Sequence, residues 1–199
     1  MLNKLLEHPF VYNLSQKVLS FISMGNTGIP DCLKATIKPE GEILDVGCGT
    51  GRYAYIFKDH YTGTDINPKY IEMAKKSHPE AGYKFEVMDA TAMSYPNEKF
   101  DAVFCVGIFH HLTDAQVNGT CKEMVRLCKK GGQILIIDPV KPGWKNIFGT
   151  ILFSLDRGAN RRTFEELRDL LAPHGILPMN PSLKKSFPYR VSAFRCNKA

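Results

Sequence analysis

A glycine-rich turn that follows an apolar segment constrains this chain more than any other feature. Residues 43–51 read Ile-Leu-Asp-Val-Gly-Cys-Gly-Thr-Gly. The apolar residues around Asp45 predict the end of a buried strand, and residues 52–58 are predicted to continue as a helix. Alternate glycines in the connecting turn let a ligand lie against bare main chain, because no Cβ stands in the way. The dinucleotide fingerprint needs a third glycine three residues after the second, and this chain has Arg52 there.

The remaining sequence alternates strand signals with helix signals. We expect strands near 42–46, 61–64, 83–88, 100–106, 132–138 and 189–196. We expect helices within 2–22, near 31–37, from Pro68 onward, and near 114–129, 144–155 and 163–172, with Gly131 and Gly132 closing the helix at 114–129. This alternation predicts an α/β fold in which a parallel sheet is covered by helices on both faces.

Two aspartates stand at the ends of predicted strands. Asp65 closes the second strand, and Asp89 with Ala90 follows the third. Ligands of such sheets bind outside the carboxyl ends of the strands. Asp65 is therefore a candidate to accept hydrogen bonds from ribose hydroxyls, and Asp89 from an exocyclic amine. The alternative for each is that a strand-end aspartate only caps the helix that follows it.

Several motifs, in order along residues 40–140, resemble those of class I S-adenosylmethionine-dependent methyltransferases. They are the glycine turn, Asp65, Asp89-Ala90, and the strand exit Gly107-Ile108-Phe109-His110-His111. The resemblance implies a doubly wound, Rossmann-like, seven-stranded and mostly parallel sheet, with S-adenosylmethionine as the cofactor and S-adenosylhomocysteine as the product. It also implies a set of cofactor-binding residues: Asp45, Gly47, Cys48, Gly49, Gly51, Asp65, Ile66, Asp89, Ala90, Val106 and Tyr12.

The strand exit also argues against two nucleic-acid branches of that superfamily. Amino-group methylases of DNA and RNA carry an Asn/Asp-Pro-Pro-aromatic turn at this point, whereas this chain has Gly-Ile-Phe-His. The 5-methylcytosine enzymes carry a Pro-Cys nucleophile, and Cys105 has no proline before it. We therefore expect no DNA partner.

A narrower resemblance, to short bacterial enzymes of the same superfamily, covers nearly the whole chain. It rests on Pro9-Phe10-Val11-Tyr12, on Asp156-Arg157-Gly158 with Arg162, and on Pro188-Tyr189. It implies that Asp156, Arg157, Arg162 and Tyr189 bind the acceptor. The chain departs from such sequences at Arg161, where they often have valine before the last arginine. An alternative is that Asp156 and Arg157 pair with each other and hold their loop.

The expected chemistry is an in-line displacement that depends on alignment and on exclusion of water. A general base helps only if the acceptor is a hydroxyl or a protonated amine. His110 and His111 are the catalytic candidates, and at most one of them is expected to face the substrate because adjacent side chains diverge. The alternative for His111 is helix capping or packing. No third ligand stands at a recognisable spacing from the histidines, so we expect no metal.

The charge distribution bears on the acceptor. Residues 141–199 carry eleven Lys and Arg against four Asp and Glu, whereas residues 1–140 carry fifteen against sixteen. A solvated surface is the simple explanation. The alternative is a site for a small anionic or amphiphilic acceptor, suggested by the apolar residues 147–153 before the arginines. An RNA methyltransferase is the second hypothesis. A membrane surface is compatible with the segment but not required.

The chain is expected to form one methyltransferase domain of 199 residues, with 44% hydrophobic residues. Within it, 1–38 would be an N-terminal helical lid, 39–140 the cofactor-binding core, and 141–199 the basic substrate-side segment with the last strands. The sequence shows neither a leader nor a long apolar run, which predicts a cytoplasmic protein. A non-catalytic S-adenosylmethionine-binding subunit is the alternative to an enzyme.

Overall fold

The computed structural model describes residues 28–38, 40–57, 60–79, 82–141, 159–179 and 190–198. Four helices lie in this part of the chain: α1 (Ile29–Thr36), α2 (Pro68–Ser77), α3 (Asp114–Leu127) and α4 (Phe164–Leu171). The strands are β1 (Ile43–Val46), β2 (Tyr61–Asp65), β3 (Lys84–Val87), β4 (Phe100–Val106), β5 (Cys128–Val140), β6 (Leu177–Pro178) and β7 (Arg190–Asn197). Short 3₁₀ turns lie at Ala54–Ile56, Phe109–His111 and Ala172–His174. The predicted helices within 2–22 and near 144–155 lie outside the described residues.

The seven strands form one mostly parallel sheet, which confirms the predicted fold class. Their order is β3-β2-β1-β4-β5-β7-β6. Strands β1 to β5 pair in parallel, whereas β7 runs antiparallel to both β5 and β6. The chain therefore leaves β1 toward β2 on one side and reaches β4 on the other. This reversal places the topological switch point at the carboxyl end of β1.

Helices cover both faces of the sheet, and the alternation along β4 shows this directly. Val103 and Cys105 pack in one apolar cluster with residues of α3 and α4, such as Met124 and Leu167. Phe104, between them, packs in a second cluster with residues of α1 and α2. Successive side chains of a strand point to opposite faces, so the two clusters are the two halves of a three-layer core. No helix among the described residues has the length and apolarity to span a bilayer.

Two predicted helix boundaries are wrong. The helix predicted over 52–58 is not formed at 52–57, because the glycine turn leads into further turns and a single 3₁₀ turn. The helix at 114–129 ends at Leu127, and Gly131 and Gly132 lie inside β5 instead of closing the helix. A Cβ on Gly132 would meet the main-chain oxygen of Asp101 at 2.8 Å. That glycine therefore permits close approach to β4 and does not end a helix.

A capping box fixes the start of α3, directly after the 3₁₀ turn that carries the two histidines. The Thr113 hydroxyl accepts the Gln116 N–H, and the Gln116 side chain accepts the Thr113 N–H. We expect Thr113→Ala to lower the free energy of unfolding by about 1 kcal/mol, and Thr113→Ser to retain most of it. Urea denaturation checks this, and equal midpoints for the two variants would show that the cap contributes nothing.

Candidate functional site

The candidate site lies at the carboxyl ends of the parallel strands, where the turns after β1 and β4 meet. Gly47 begins the turn after β1 with φ of 74°, a left-handed conformation that favours glycine. A Cβ built on Gly47 would stand 2.3 Å from Cγ2 of Ile108, in the turn after β4. The missing side chain thus lets the two turns touch. The N–H groups of Gly47 and Cys48 both donate to Thr64 O of β2, at 2.7 and 2.9 Å.

Asp65 ends β2 and joins it to the glycine turn. Its Oδ2 accepts the Gly49 N–H at 3.0 Å, and its Oδ1 accepts the Asn67 N–H at 2.8 Å. Burial raises the pKa of Asp65, and these two hydrogen bonds act in the opposite direction. Each carboxylate oxygen can accept more than one hydrogen bond, so a ligand hydroxyl can still donate to Asp65. Ile66, the next residue, has 68% of its surface exposed and places an apolar side chain beside the carboxylate.

Asp89 follows β3 and caps its own loop. Its Oδ1 accepts both the N–H and the hydroxyl of Thr91, at 2.8 and 2.7 Å, and these bonds lower the pKa of Asp89. Both bonds end on one oxygen, and within the described part of the chain Oδ2 has no donor. Asp89 therefore does cap the loop that follows it, as the alternative supposed, but its second carboxylate oxygen is left for a ligand. Ala90 beside it is half-buried.

Asp45 is placed behind the glycine turn and not on its surface. Only 1% of Asp45 is exposed, and its Oδ2 accepts the Tyr61 hydroxyl at 2.6 Å. Burial raises the pKa of Asp45 from its ordinary 3.8 to about 7, with a smaller contribution in the same direction from Asp65. Cys48 and Gly51 of the turn are buried as well, and Val106 at the end of β4 is half-buried.

The two histidines after β4 occupy different environments. His110 is 5% exposed, whereas His111 is exposed, and their rings lie 4.1 Å apart between centroids. Nδ1 of His110 lies 3.2 and 3.3 Å from the two carboxylate oxygens of Asp138, at the end of β5. The same carboxylate accepts the N–H groups of Phe109 and His110, both at 3.0 Å. Asp138 thus holds the ring and the main chain of His110 together.

Arg162 holds the same turn from the other side, which corrects the assignment of Arg162 to the acceptor. Its Nε and Nη2 donate to Asp114 Oδ1, at 3.0 and 2.5 Å. Its Nη1 donates to Phe109 O and Asn160 O, and its Nη2 also donates to Leu112 O. A guanidinium has five N–H donors, and all five are used within the chain. Arg162 therefore anchors the turn and has no donor left for an acceptor anion.

Asp138 and Asn160 are functional candidates that the sequence reasoning missed. Asn160 donates its N–H to His110 O and its Nδ2 to His111 O, at 3.0 and 3.2 Å. Asp138 follows the apolar run at 134–137, so the strand-end signal that identified Asp65 also fits Asp138. Asn160 has no such signal, because only the fold brings its loop to the histidines.

Four predicted site residues, namely Tyr12, Asp156, Arg157 and Tyr189, lie outside the described residues, and their roles stay predictions. The described residues hold no group of three or more His, Cys, Asp or Glu side chains that could bind a metal ion.

Comparison with known proteins identifies the kind of domain that carries this site. Residues 44–136 match the model of a methyltransferase domain. The 2-methyl-6-phytyl-1,4-hydroquinone methyltransferase of Synechocystis is 36% identical over 108 residues, which are 52% of this chain and 33% of that protein. The yeast tRNA (carboxymethyluridine(34)-5-O)-methyltransferase is 28% identical over 154 residues, 75% of this chain and 49% of that protein. The chain thus spans between a third and a half of these curated relatives.

A solved structure shares the fold over nearly the whole chain. Geranyl diphosphate C-methyltransferase from Streptomyces coelicolor, crystallised with Mg²⁺, geranyl diphosphate and S-adenosylhomocysteine, has a TM-score of 0.68 and 12% identity. The alignment covers 95% of this chain and 81% of the Streptomyces chain.

The raised pKa of Asp45 predicts a pH dependence of stability. Because the folded state holds this proton more tightly than the unfolded state, the wild-type protein should lose stability relative to Asp45→Asn as pH rises from about 4 to about 7. The limiting slope is about 1.4 kcal/mol per pH unit. Urea denaturation of both proteins across this range measures the difference between their free energies of unfolding. The contributions of the other titrating groups cancel in this difference. A pH-independent difference would contradict the assignment.

Proposed function

The chain belongs to the class I S-adenosylmethionine-dependent methyltransferases, and on that basis we propose that it transfers the methyl group of this cofactor to a small anionic or amphiphilic acceptor. The observation that carries the proposal is the junction of the glycine turn with Asp65, where bare main chain and a partly satisfied carboxylate lie side by side. Ribose hydroxyls and a methionine backbone both fit such a surface, because one end of the ligand donates hydrogen bonds and the other needs close main-chain approach.

The described residues fit S-adenosylmethionine, which is the cofactor of the family. We assign the ribose hydroxyls to Asp65 and one face of the adenine to the exposed side chain of Ile66. The adenine amine is assigned to Asp89, whose Oδ2 is the oxygen not used by Thr91. Gly47 and Gly49 leave the main chain open to the rest of the cofactor.

The reaction needs alignment more than it needs reactive side chains. When bound, the cofactor supplies a methyl group on a sulfonium, which is already a good electrophile. The chain contributes the contact between Gly47 and Ile108, which sets the cofactor turn against the turn that carries the histidines. We place His110 and His111 on the acceptor side. Either can accept a proton from a hydroxyl or ammonium acceptor within hydrogen-bond reach.

Sequence and relatives together favour an acceptor with an apolar body and an anionic group. Residues 147–153 are apolar, and Arg157 follows them closely. An arginine fork binds phosphate or carboxylate bidentately. The Synechocystis relative is named for a phytyl-substituted hydroquinone, and the Streptomyces neighbour was crystallised with geranyl diphosphate. Both named compounds have long apolar chains, and the second is an anion.

RNA is the second candidate acceptor, because the yeast relative is a tRNA methyltransferase that aligns with 75% of this chain. The basic segment supports this candidate less than its composition suggests. Among the described Lys and Arg of residues 141–199, four form ion pairs with acidic side chains: Lys141 with Glu166, Arg162 with Asp114, Arg168 with Asp169, and Lys198 with Glu98. RNA binding depends on many phosphate contacts, whereas a small anion needs one or two guanidinium groups.

The cofactor assignment predicts a specific loss in Asp65→Ala. Removal of charge-assisted hydrogen bonds to the ribose should weaken S-adenosylhomocysteine binding by about 1.5–3 kcal/mol, or roughly 10- to 150-fold. Titration calorimetry measures this, with Asp169→Ala as the matched control, since Asp169 pairs with Arg168 on the surface. Unchanged affinity in a folded Asp65→Ala protein, or tighter binding of NAD than of S-adenosylhomocysteine by the wild type, would refute the assignment.

The acceptor class is tested by a screen with labelled S-adenosylmethionine. The small-molecule fraction and the RNA fraction of a cell extract are offered separately, and labelled products are identified by mass. We expect label in an anionic small molecule, and we expect Arg157→Ala to raise its KM at least tenfold with unchanged affinity for S-adenosylhomocysteine. Label in RNA alone would establish the second candidate. Cofactor binding with no label in either fraction would favour a non-catalytic subunit.

A further inference from the structure

His110 makes more hydrogen bonds than a helix cap or a packing contact requires. Both carboxylate oxygens of Asp138 are engaged with the turn after β4, through the N–H groups of Phe109 and His110 and through the His110 ring. Asp138 is 2% exposed and His110 is 5% exposed. A buried carboxylate is costly unless it is paired or accepts several hydrogen bonds, so this one holds the turn firmly.

We propose that Asp138 is a positioning residue that makes Nε2 of His110 the proton acceptor of the methyl transfer, and that the acceptor atom is therefore an oxygen or nitrogen that loses a proton. This inference rests on the proposed function and names the chemistry of its acceptor. A carboxylate only accepts hydrogen bonds, so the Nδ1 of His110 donates to it. The proton on Nδ1 leaves Nε2 as the basic nitrogen of the neutral ring.

The proton transfer balances without any further reactant. The acceptor oxygen or nitrogen bonds to the methyl carbon as the carbon–sulfur bond breaks, and the electron pair of that bond stays on sulfur. The proton of the acceptor passes to Nε2 of His110, and the imidazolium that forms is stabilised by the negative charge of Asp138. Release of the product and transfer of the proton to water restore the neutral ring. An aspartate that orients a histidine in this way is known to matter strongly in serine proteases.

The turn is also fixed from the side opposite Asp138. The main-chain oxygens of four successive residues, 109 to 112, accept hydrogen bonds from Asn160 or Arg162. Gly107 starts the turn with φ of 72° and donates its N–H to Ile137 O at 2.8 Å. His110 therefore has a fixed main chain and a fixed ring, which is the arrangement that general-base catalysis requires.

The decisive experiment compares Asp138→Asn with Asp101→Asn, alone and in a His110→Ala background. Asp101 is the matched control because its carboxylate accepts the Glu42 N–H and pairs with Lys129 at the opposite end of β4. Rates are measured with labelled S-adenosylmethionine and the small-molecule fraction of a cell extract, and binding with S-adenosylhomocysteine. We expect Asp138→Asn to lower the rate at saturating cofactor at least tenfold, to change cofactor affinity less than twofold, and to add no further loss to His110→Ala.

A purely structural role for Asp138 predicts the opposite pattern. The losses from Asp138→Asn and His110→Ala would then multiply, or cofactor affinity would fall together with the rate, and either result would overturn the proposal. Label attached to carbon or sulfur in the product would overturn the acceptor class. Asp101→Asn should leave the rate within twofold of the wild type.

A second measurement on the wild-type protein does not depend on variants that fold or on an active acceptor. ¹⁵N correlation spectra report which ring nitrogen of His110 carries the proton. We expect the proton on Nδ1 throughout the pH range in which the ring is neutral, and a proton on Nε2 there would overturn the proposal. If the extract yields no labelled product while Nδ1 is protonated, the proposed methyl transfer has failed but the positioning by Asp138 stands.

Discussion

Carboxylates at the ends of two strands hold the turns that follow the neighbouring strands, and the site depends on this arrangement. The main-chain N–H groups of these turns lie beyond the strand pairing of the sheet. Each lowers the stability of the fold by about 1–3 kcal/mol if it is buried without a hydrogen-bond acceptor. Asp65 at the end of β2 accepts the N–H of Gly49 after β1, and Asp138 at the end of β5 accepts those of Phe109 and His110 after β4. Each carboxylate thus links the end of its own strand to the turn after the neighbouring strand, and hydrogen bonds tie the ligand-facing edge together.

This arrangement concentrates negative charge at one edge of the sheet. Burial raises the pKa of both Asp45 and Asp65, and the charge of Asp65 raises that of Asp45 further. A cofactor that carries a sulfonium and an ammonium brings positive charge to the same edge. In the proposed placement of the cofactor, this positive charge offsets a repulsion between carboxylates that is already present in the protein.

The sequence predicted what depends on local pattern and failed where long-range contacts decide. Apolar runs in the sequence predict the strand positions and the place of Asp65 at a strand end. The proline at position 68 predicts the start of α2. Gly132 was misassigned because its role, close approach to β4, is set by a partner strand. Gly131 was misassigned with it, since its left-handed φ of 74° lies within β5 and not at a helix end. Arg162 was misassigned for the same reason: clustered arginines suggest an anion site, but only the fold reveals a guanidinium already saturated by Asp114 and main-chain oxygens.

One short turn connects the two halves of the proposed chemistry. Ile108 packs against the glycine turn, and two residues later His110 is bound to Asp138. A displacement of this turn by a fraction of an ångström would thus shift the cofactor surface and the base together. Reaction rates fall steeply with such misplacement, which gives a physical reason for hydrogen bonds to four consecutive carbonyl groups.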